Sequence, residues 1–189
     1  MSICFESALV HHNEVVGTLP MLSCAVEKAA RILSDSVSKG GCIFWMGNGG
    51  SAADAQHYAA ELMVRYARNR EPIASIALTT NSSILTAHSN DYDYETVFSR
   101  QVRALAKEND VVVGISTSGN STNVLMAILE AKAKGVKTVA LLGRDGGEIA
   151  KEVDLAITVN SNITAHIQES HLIIGHYLCD YVESNFIGK

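Results

Sequence analysis

Proline is almost missing from this chain: Pro20 and Pro72 are the only two in 189 residues. Few positions are therefore barred from helix, or from a buried strand, by an absent N–H. Positive charge is never concentrated either, with no Lys or Arg run and a formal net charge of -5; that excludes nucleic acid or an anionic membrane surface as the main partner. No apolar run approaches the roughly 18 residues of a membrane span, and the opening Met1-Ser-Ile-Cys-Phe-Glu6 has an early acid where a leader would be basic. The expectation is a cytoplasmic protein. Four cysteines, Cys4, Cys24, Cys42 and Cys179, form no CxxC. They fit reduced, mostly buried thiols better than a disulfide frame or a Cys-based zinc site.

Apolar residues make up 47% of the chain, enough for one substantial core and one domain over 1–189. Short β-branched runs at Cys42 to Met46, Ile73 to Leu78, Val111 to Ser116, Thr138 to Leu142 and Leu155 to Val159 read as strands buried on both faces. Helical patterns lie between them, at Ala52 to Arg68, Ser82 to His88, Glu95 to Ala106, Thr122 to Lys134 and Glu148 to Lys151. That alternation predicts an α/β fold, a doubly wound five-stranded parallel sheet with right-handed crossovers. Helices at Phe5 to Val16 and Leu22 to Ser38 precede the sheet, and a long one from Thr164 to Ser184 follows it. The helices within 1–40 would pack on the domain or on neighbouring subunits; apolar helix faces left over by the sheet point to an oligomer.

Two Gly/Ser-rich loops each follow an apolar run and open a helix: Met46-Gly-Asn-Gly-Gly-Ser51 and Ile115-Ser-Thr-Ser-Gly-Asn-Ser121. Small residues let backbone approach a ligand, hydroxyls donate, and the helix that follows offers free amides and a positive dipole end. That is the chemistry of holding a phosphate. Both loops leave the carboxyl ends of strands, where an open parallel sheet forms its crevice. The bland alternative makes Ser51 and Ser121 helix N-caps in tight turns with no ligand. No Gly-Lys-Ser/Thr follows, so a nucleotide P-loop is disfavoured.

His57 and Glu61 are four residues apart on the helix after the first loop, hence on one face, as a metal site, an acid/base pair or a solvated ion pair requires. The last helix carries His166, Gln168, Glu169, His171 and His176 among Ile167, Leu172, Ile173, Ile174 and Leu178. Polar groups on a largely buried helix need partners. Gln168 and His176 lie about 12 Å apart along an ideal helix, so they reach one ligand only by converging side chains or through a neighbouring subunit. Satisfied core polar groups remain the other reading. Asn90-Asp91 forms a loop candidate, as ligand contact or plain Asx turn.

Together these residues resemble the sugar isomerase (SIS) domain and, more closely, the sedoheptulose-7-phosphate or phosphoheptose isomerases. The resemblance runs through Gly47-Asn-Gly-Gly-Ser-Ala-Ala-Asp-Ala-Gln-His57, Ala60-Glu61, Ala77-Leu-Thr-Thr80, Asn90-Asp-Tyr92, Phe98-Ser-Arg-Gln101, Gly114-Ile-Ser-Thr-Ser-Gly-Asn-Ser121 and Ile167-Gln168 with His176. It implies a homotetramer with active sites at subunit interfaces. It also implies conversion of a phosphosugar, sedoheptulose 7-phosphate, to D-glycero-D-manno-heptose 7-phosphate through an enediol, the first step toward activated heptose for lipopolysaccharide core or other surface glycans. Carried over by motif, Ser51, Ser116, Thr117, Ser118 and Ser121 would hold the phosphate, and Asn48, Gly49, Gly50, Asn90, Asp91, Glu61 and Gln168 would meet the substrate. Glu61 and His176 would be the acid/base pair. His57, Glu61, Gln168 and His176 would bind one zinc ion per subunit.

Three positions depart from the family pattern: His166 stands where Arg or Lys is common, Ala165 replaces an Asp found in some relatives, and Ser89 replaces a Gly. His166 removes a fixed positive charge there. Two alternatives share the fold: an isomerase of another phosphosugar, and a non-catalytic binding protein resembling the DnaA-initiator-associating protein. The latter group lacks the residues that match Glu61 and His176.

Overall fold

In the computed structural model, which describes residues 4–186, five parallel strands form one sheet in the order β2-β1-β3-β4-β5. They are β1 Ile43–Gly47, β2 Ser75–Ala77, β3 Val111–Ser116, β4 Lys137–Gly143 and β5 Leu155–Val159. The helices are α1 Phe5–Val16, α2 Ser23–Ser38, α3 Gly50–Met63, α4 Ser82–Asp91, α5 Val97–Leu105, α6 Thr122–Ala133, α7 Gly147–Glu152 and α8 Thr164–Phe186. The doubly wound expectation holds. Strand order reverses between β1 and β3, and the two Gly/Ser loops leave those two strands, so both open at the switch point where such sheets bind ligands.

Strand alternation sorts the core into two layers. Ile43 and Trp45 face α2, α3 and α8, beside Ala29, Leu33, Tyr58, Leu62 and Leu178. Phe44 and Met46 face the other way, against Phe98, Val102, Val124, Ile128 and Ile149. Central β1 and β3 are buried throughout. Burial on both faces does not extend to the edges, where Ile76 of β2 is exposed and β5 is half-buried. The Trp45 indole N–H donates to Ser75 Oγ at 2.9 Å and ties β1 to β2.

α8 crosses this layer with a buried stripe, Ile167, His171, Ile174, Gly175, Leu178 and Val182, apolar but for His171, at the three- and four-residue spacing of one helix face. α2 packs beside it through Ala29, Ala30, Leu33 and Val37. α1 buries no residue, leaving Phe5 77% and Val10 52% exposed; it is tethered by His12 Nδ1, 2.6 Å from Glu169 Oε2.

Several expected boundaries move. The helix expected over Ala52 to Arg68 starts at Gly50 and stops at Met63, because residues 66–68 turn their backbone N–H groups onto the Glu183 carboxylate instead of continuing the ladder. Asn90-Asp91 is the last turn of α4, not a loop. The second strand shortens to three residues. Of the cysteines, all free, only Cys179 is buried; Cys4 and Cys24 are exposed and Cys42 is intermediate. Cys4 and Cys24 fall on α1's start and on α2's outer face, which no layer covers.

His171 is fully buried, and its Nε2 donates to the Leu142 carbonyl at 2.9 Å while Nδ1 has no partner. A second proton would have no acceptor, and burial pushes the imidazole down from 6.5 to about 4 despite that hydrogen bond. Its folded-state value is depressed, so the folded state is favoured fully above pH 6.5 and loses ground as the unfolded chain takes up the proton alone. The contribution of His171 to the unfolding free energy should fall by about 1.4 kcal/mol per pH unit between 6.5 and 4. Urea unfolding across that range measures the slope, and His171→Gln, which keeps a donor for Leu142, should flatten it.

Candidate active site

The first loop turns at Gly49, whose φ of 57° only glycine adopts freely, and Gly49 is the N-cap of α3. Ser51 is therefore not the cap, as expected from the sequence, but the second helical residue, 6% exposed. The backbone turn supplies the bonds a cap would make: Ser51 N–H reaches the Asn48 carbonyl at 3.0 Å and Ala52 N–H that of Gly49 at 3.1 Å.

In the second loop Ser121 is the N-cap of α6, yet its hydroxyl does not cap. It lies 2.8 Å from the buried Ser116 hydroxyl, which is also 3.4 Å from that of Ser118. Three hydroxyls thus converge at the start of a twelve-residue helix, a donor cluster suited to a phosphate. Thr117 between them is half-buried. α7 braces the loop: Ile149 N–H donates to the Gly119 carbonyl at 3.0 Å and Glu148 N–H to Asn120 Oδ1 at 3.0 Å.

The two loops are latched together by Asn48 and Asn123, whose side-chain amides exchange two 2.8 Å hydrogen bonds. Tyr94 O–H adds a third to Asn48 Oδ1 at 3.1 Å. Asn48, Tyr94, Glu95, Ser121, Thr122 and Asn123 line a cavity of about 240 Å³. Tyr94 and Asn123 carried no sequence signal. Both sit outside the Gly/Ser runs; the pairing of β1 with β3 brings Asn123 to the crevice, and the turn over Tyr94–Thr96 packs on α6 beside it.

Along α3, residues 54, 57 and 61 share the face turned to α8. His57 Nε2 meets His176 Nε2 at 2.7 Å, and His57 Nδ1 lies 3.6 Å from Glu61 Oε1. One Nε2 must carry the proton and the other must be bare. His57 therefore bridges Glu61 and His176 through its two nitrogens. Gly175 allows this approach: a methyl there would strike the Tyr58 ring, and the residues next to each, His176 and His57, are brought together by the contact. The Tyr66 ring lies 5.7 Å from that of His176.

Gln168 does not join them. Its amide lies over Gly50 and donates to Asp54 Oδ1 at 3.2 Å. Asp54 was not singled out from the sequence, although its position three before His57 was a usable signal. Its Oδ2 is buried without a partner; burial raises its carboxyl above the ordinary value, against the lowering effects of Gln168 and His57. Asp54, Ala165, Gln168, Glu169 and Leu172 line a cavity of about 180 Å³. His166 is directed at α1, with its ring centroid 6.0 Å from that of His12 and its buried Nδ1 unpartnered.

Asn90 and Asp91 bond to each other at 2.8 Å, and Asp91 lines a different cavity of about 460 Å³ with His88, Tyr92 and Arg100. Within one chain they are not brought to the cavity at Asn48 and Ser121.

Two imidazoles and a carboxylate are donors suited to zinc, and the Gln168 amide oxygen is the weakest of the four. Zinc–nitrogen bonds of about 2.0–2.1 Å at a tetrahedral angle hold two nitrogens roughly 3.4 Å apart, so the 2.7 Å His57–His176 pair has to open by less than an ångström. The four-residue set is not assembled: Glu61 faces the other nitrogen of His57, and Gln168 is held by Asp54. Among the described residues no group of three or more His, Cys, Asp or Glu side chains is arranged around a common metal position. The pair fits, and the full set requires side-chain rotation.

A family model described as the SIS domain matches residues 15–143. The phosphoheptose isomerase of Geotalea daltonii is 48% identical, over 97% of this chain and 96% of the relative, and that of Sulfurimonas denitrificans is 57% identical over 75% and 73%. Among solved structures, phosphoheptose isomerase GmhA from Neisseria gonorrhoeae superposes with a TM-score of 0.86 at 41% identity, covering 95% of this chain and 98% of that one. A phosphoheptose isomerase from Francisella tularensis gives 0.91 at 34% identity, over 95% and 96%. With this fold, these loops and these relatives, the chain belongs to the SIS-domain family and, within it, to the phosphoheptose isomerases.

Proposed function

We propose that this enzyme converts sedoheptulose 7-phosphate to D-glycero-D-manno-heptose 7-phosphate, opening a route to activated heptose for lipopolysaccharide core or other surface glycans. The observation that carries the reading is the contact of His57 with both His176 and Glu61, on the helix that the first Gly/Ser loop opens. Phosphosugars are made and consumed inside cells because the charged phosphate does not cross a bilayer, which supports a cytoplasmic site of action. Among the described residues no helix is long and apolar enough to cross a membrane.

In this reading Ser51, Ser116, Thr117, Ser118 and Ser121 hold the phosphate, away from the reacting carbons, and binding there orients the sugar. Asn48, Gly49, Gly50, Gln168, Asn90 and Asp91 line the sugar; Asn90 and Asp91 do so from a neighbouring subunit, consistent with their separation from the crevice within one chain. Glu61 takes a proton from C1, the C1–C2 enediol forms, and a proton returns to C2. His176 moves the hydroxyl proton between O1 and O2, and in the metal-free arrangement His57 on its Nε2 can accept or return it. Zinc, one per subunit, would be held by His57 and His176 with Glu61 and Gln168, and its chemistry there is polarisation of the substrate carbonyl.

The whole of 1–189 works as one unit in this reading, and four copies associate through the apolar surface that helices 1–40 and α8 leave uncovered. Support comes from an apolar groove of about 420 Å³ lined by Val16, Leu19, Pro20, Val26, Ile173 and Tyr177, with Phe5 and Val10 exposed on α1. A patch of this kind marks an interface.

Heptose 7-phosphate formation from sedoheptulose 7-phosphate tests the activity. Glu61→Gln and His176→Asn should each lower kcat by about a hundredfold or more, and a chelator should lower it reversibly, with zinc restoring it. An inactive wild type would reject the reading, and full activity in both variants would reject the site. Light scattering should give a tetramer, and Ile173→Glu should shift it to smaller species.

A further inference from the structure

We propose that Arg70 and Glu183, which touch no reacting group, are positioning residues that set the geometry of Glu61, His57 and His176; the inference rests on the acid/base reading above. Glu183 lies seven residues after His176 on α8, two turns along the same face, about 10 Å away. Its side chain is fully buried and points at the end of α3. Oε1 accepts the Tyr66 N–H at 2.9 Å, and Oε2 accepts those of Ala67 and Arg68 at 2.8 and 3.0 Å. Three successive backbone donors thus converge on one carboxylate. Burial pushes the Glu183 carboxyl up, but these donors and the Arg70 charge outweigh it and hold it below the ordinary value.

Arg70 is the second half of the clamp, its side chain 2% exposed. Its Nε lies 3.2 Å from Glu183 Oε1 without a hydrogen-bond acceptor in line, so that contact is Coulombic. Its Nη2 donates to the main-chain carbonyl of Glu61 at 2.9 Å, and Nη1 to that of Glu71 at 3.0 Å. The Glu61 carbonyl is one of the last four of α3, which have no partner in the helix ladder; Arg70 supplies it, as Ile73 N–H does for Leu62 at 3.2 Å.

Through these bonds one buried carboxylate fixes three things. It fixes the residue that carries the proposed base, through Arg70. It fixes Tyr66, whose N–H it holds and whose ring lies beside His176. And it fixes where the chain leaving α3 meets α8, next to the gap across which His57 meets His176. A buried ion pair is weak as a source of stability, since an apolar replacement of the same volume is often as stable. What such a pair specifies here is one geometry. A misplacement of about 1 Å can lower a rate a hundredfold.

Isomerase kinetics on the 189-residue chain test this, each variant assayed well below its own melting temperature. Arg70→Lys keeps a buried charge opposite Glu183 but cannot reach Glu183 and the Glu61 carbonyl together. It should lower kcat by about tenfold to a hundredfold while KM changes by less than about threefold, because the phosphate is held at the other end of α3. Glu183→Gln should do the same, and the double variant should be no worse than the poorer single one, as expected for groups acting through one chain of contacts. Asp154→Ala, which removes the carboxylate oxygen that accepts both the Thr138 N–H and its hydroxyl where β5 meets β4, is the control for damage to the fold alone and should lower Tm without lowering kcat. If Glu183→Gln does not fold, Arg70→Lys decides. Wild-type kcat in Arg70→Lys, or parallel changes in kcat and KM, overturns the inference. If Glu61→Gln is inactive in the same assay, only the positioning roles fail; if Glu61→Gln is active, the acid/base reading itself has failed.

Discussion

The close approach of α3 to α8 is the constraint on which the rest of the site depends. It is made by a core side chain: the Tyr58 ring rests on Gly175, where a side chain would not fit, and Tyr58 O–H donates to the His171 carbonyl at 2.8 Å. The same ring packs against Trp45 of the central strand, centroids 5.2 Å apart. Position along the sheet is thereby passed to α8 through one aromatic residue. Because interiors are close-packed and yield little, the backbones that carry the neighbouring His57 and His176 are held at that separation. A contact that looks purely structural sets the gap in which His57 meets His176.

Burial of polar groups follows two patterns around that gap. Glu183 and His171 are each tied to backbone, the first as a carboxylate accepting three N–H groups and the second as a neutral imidazole donating to a carbonyl. Each thereby has its charge state set by geometry. Asp54 differs, with one oxygen on Gln168 and the other left bare. A bare buried carboxylate oxygen is costly unless something completes it. It lies on the face of α3 shared by His57 and Glu61, so the incompletely satisfied group and the proposed chemistry occupy the same side of one helix.

Much of the fold was legible in the sequence. Third and fifth strands and the first helix match their expected bounds, because continuous β-branched runs and a regular helical period are local properties. Departures occur where a distant residue takes over. α3 ends early because Glu183, more than a hundred positions away, captures the N–H groups that would have extended the turn. Ser51 looked like a cap because it precedes a good helical run, but Gly49 can take a positive φ and starts the helix sooner. The hydroxyls of Ser116, Ser118 and Ser121 were readable as a cluster since one loop holds them all.

By itself, then, the sequence determined the strand and helix alternation, the two Gly/Ser loops that open helices and the shared face of His57 and Glu61, since each of these needs only residues close together in the chain. Tertiary structure alone decided which groups meet. It joined Asn48 to Asn123, set Gln168 on Asp54 instead of beside His176, and linked Glu183 through Arg70 to Glu61. The physical reason is that these partners are 9 to 122 residues apart along the chain, and no local period encodes a distance that only packing of α8 and β3 against α3 and β1 can close.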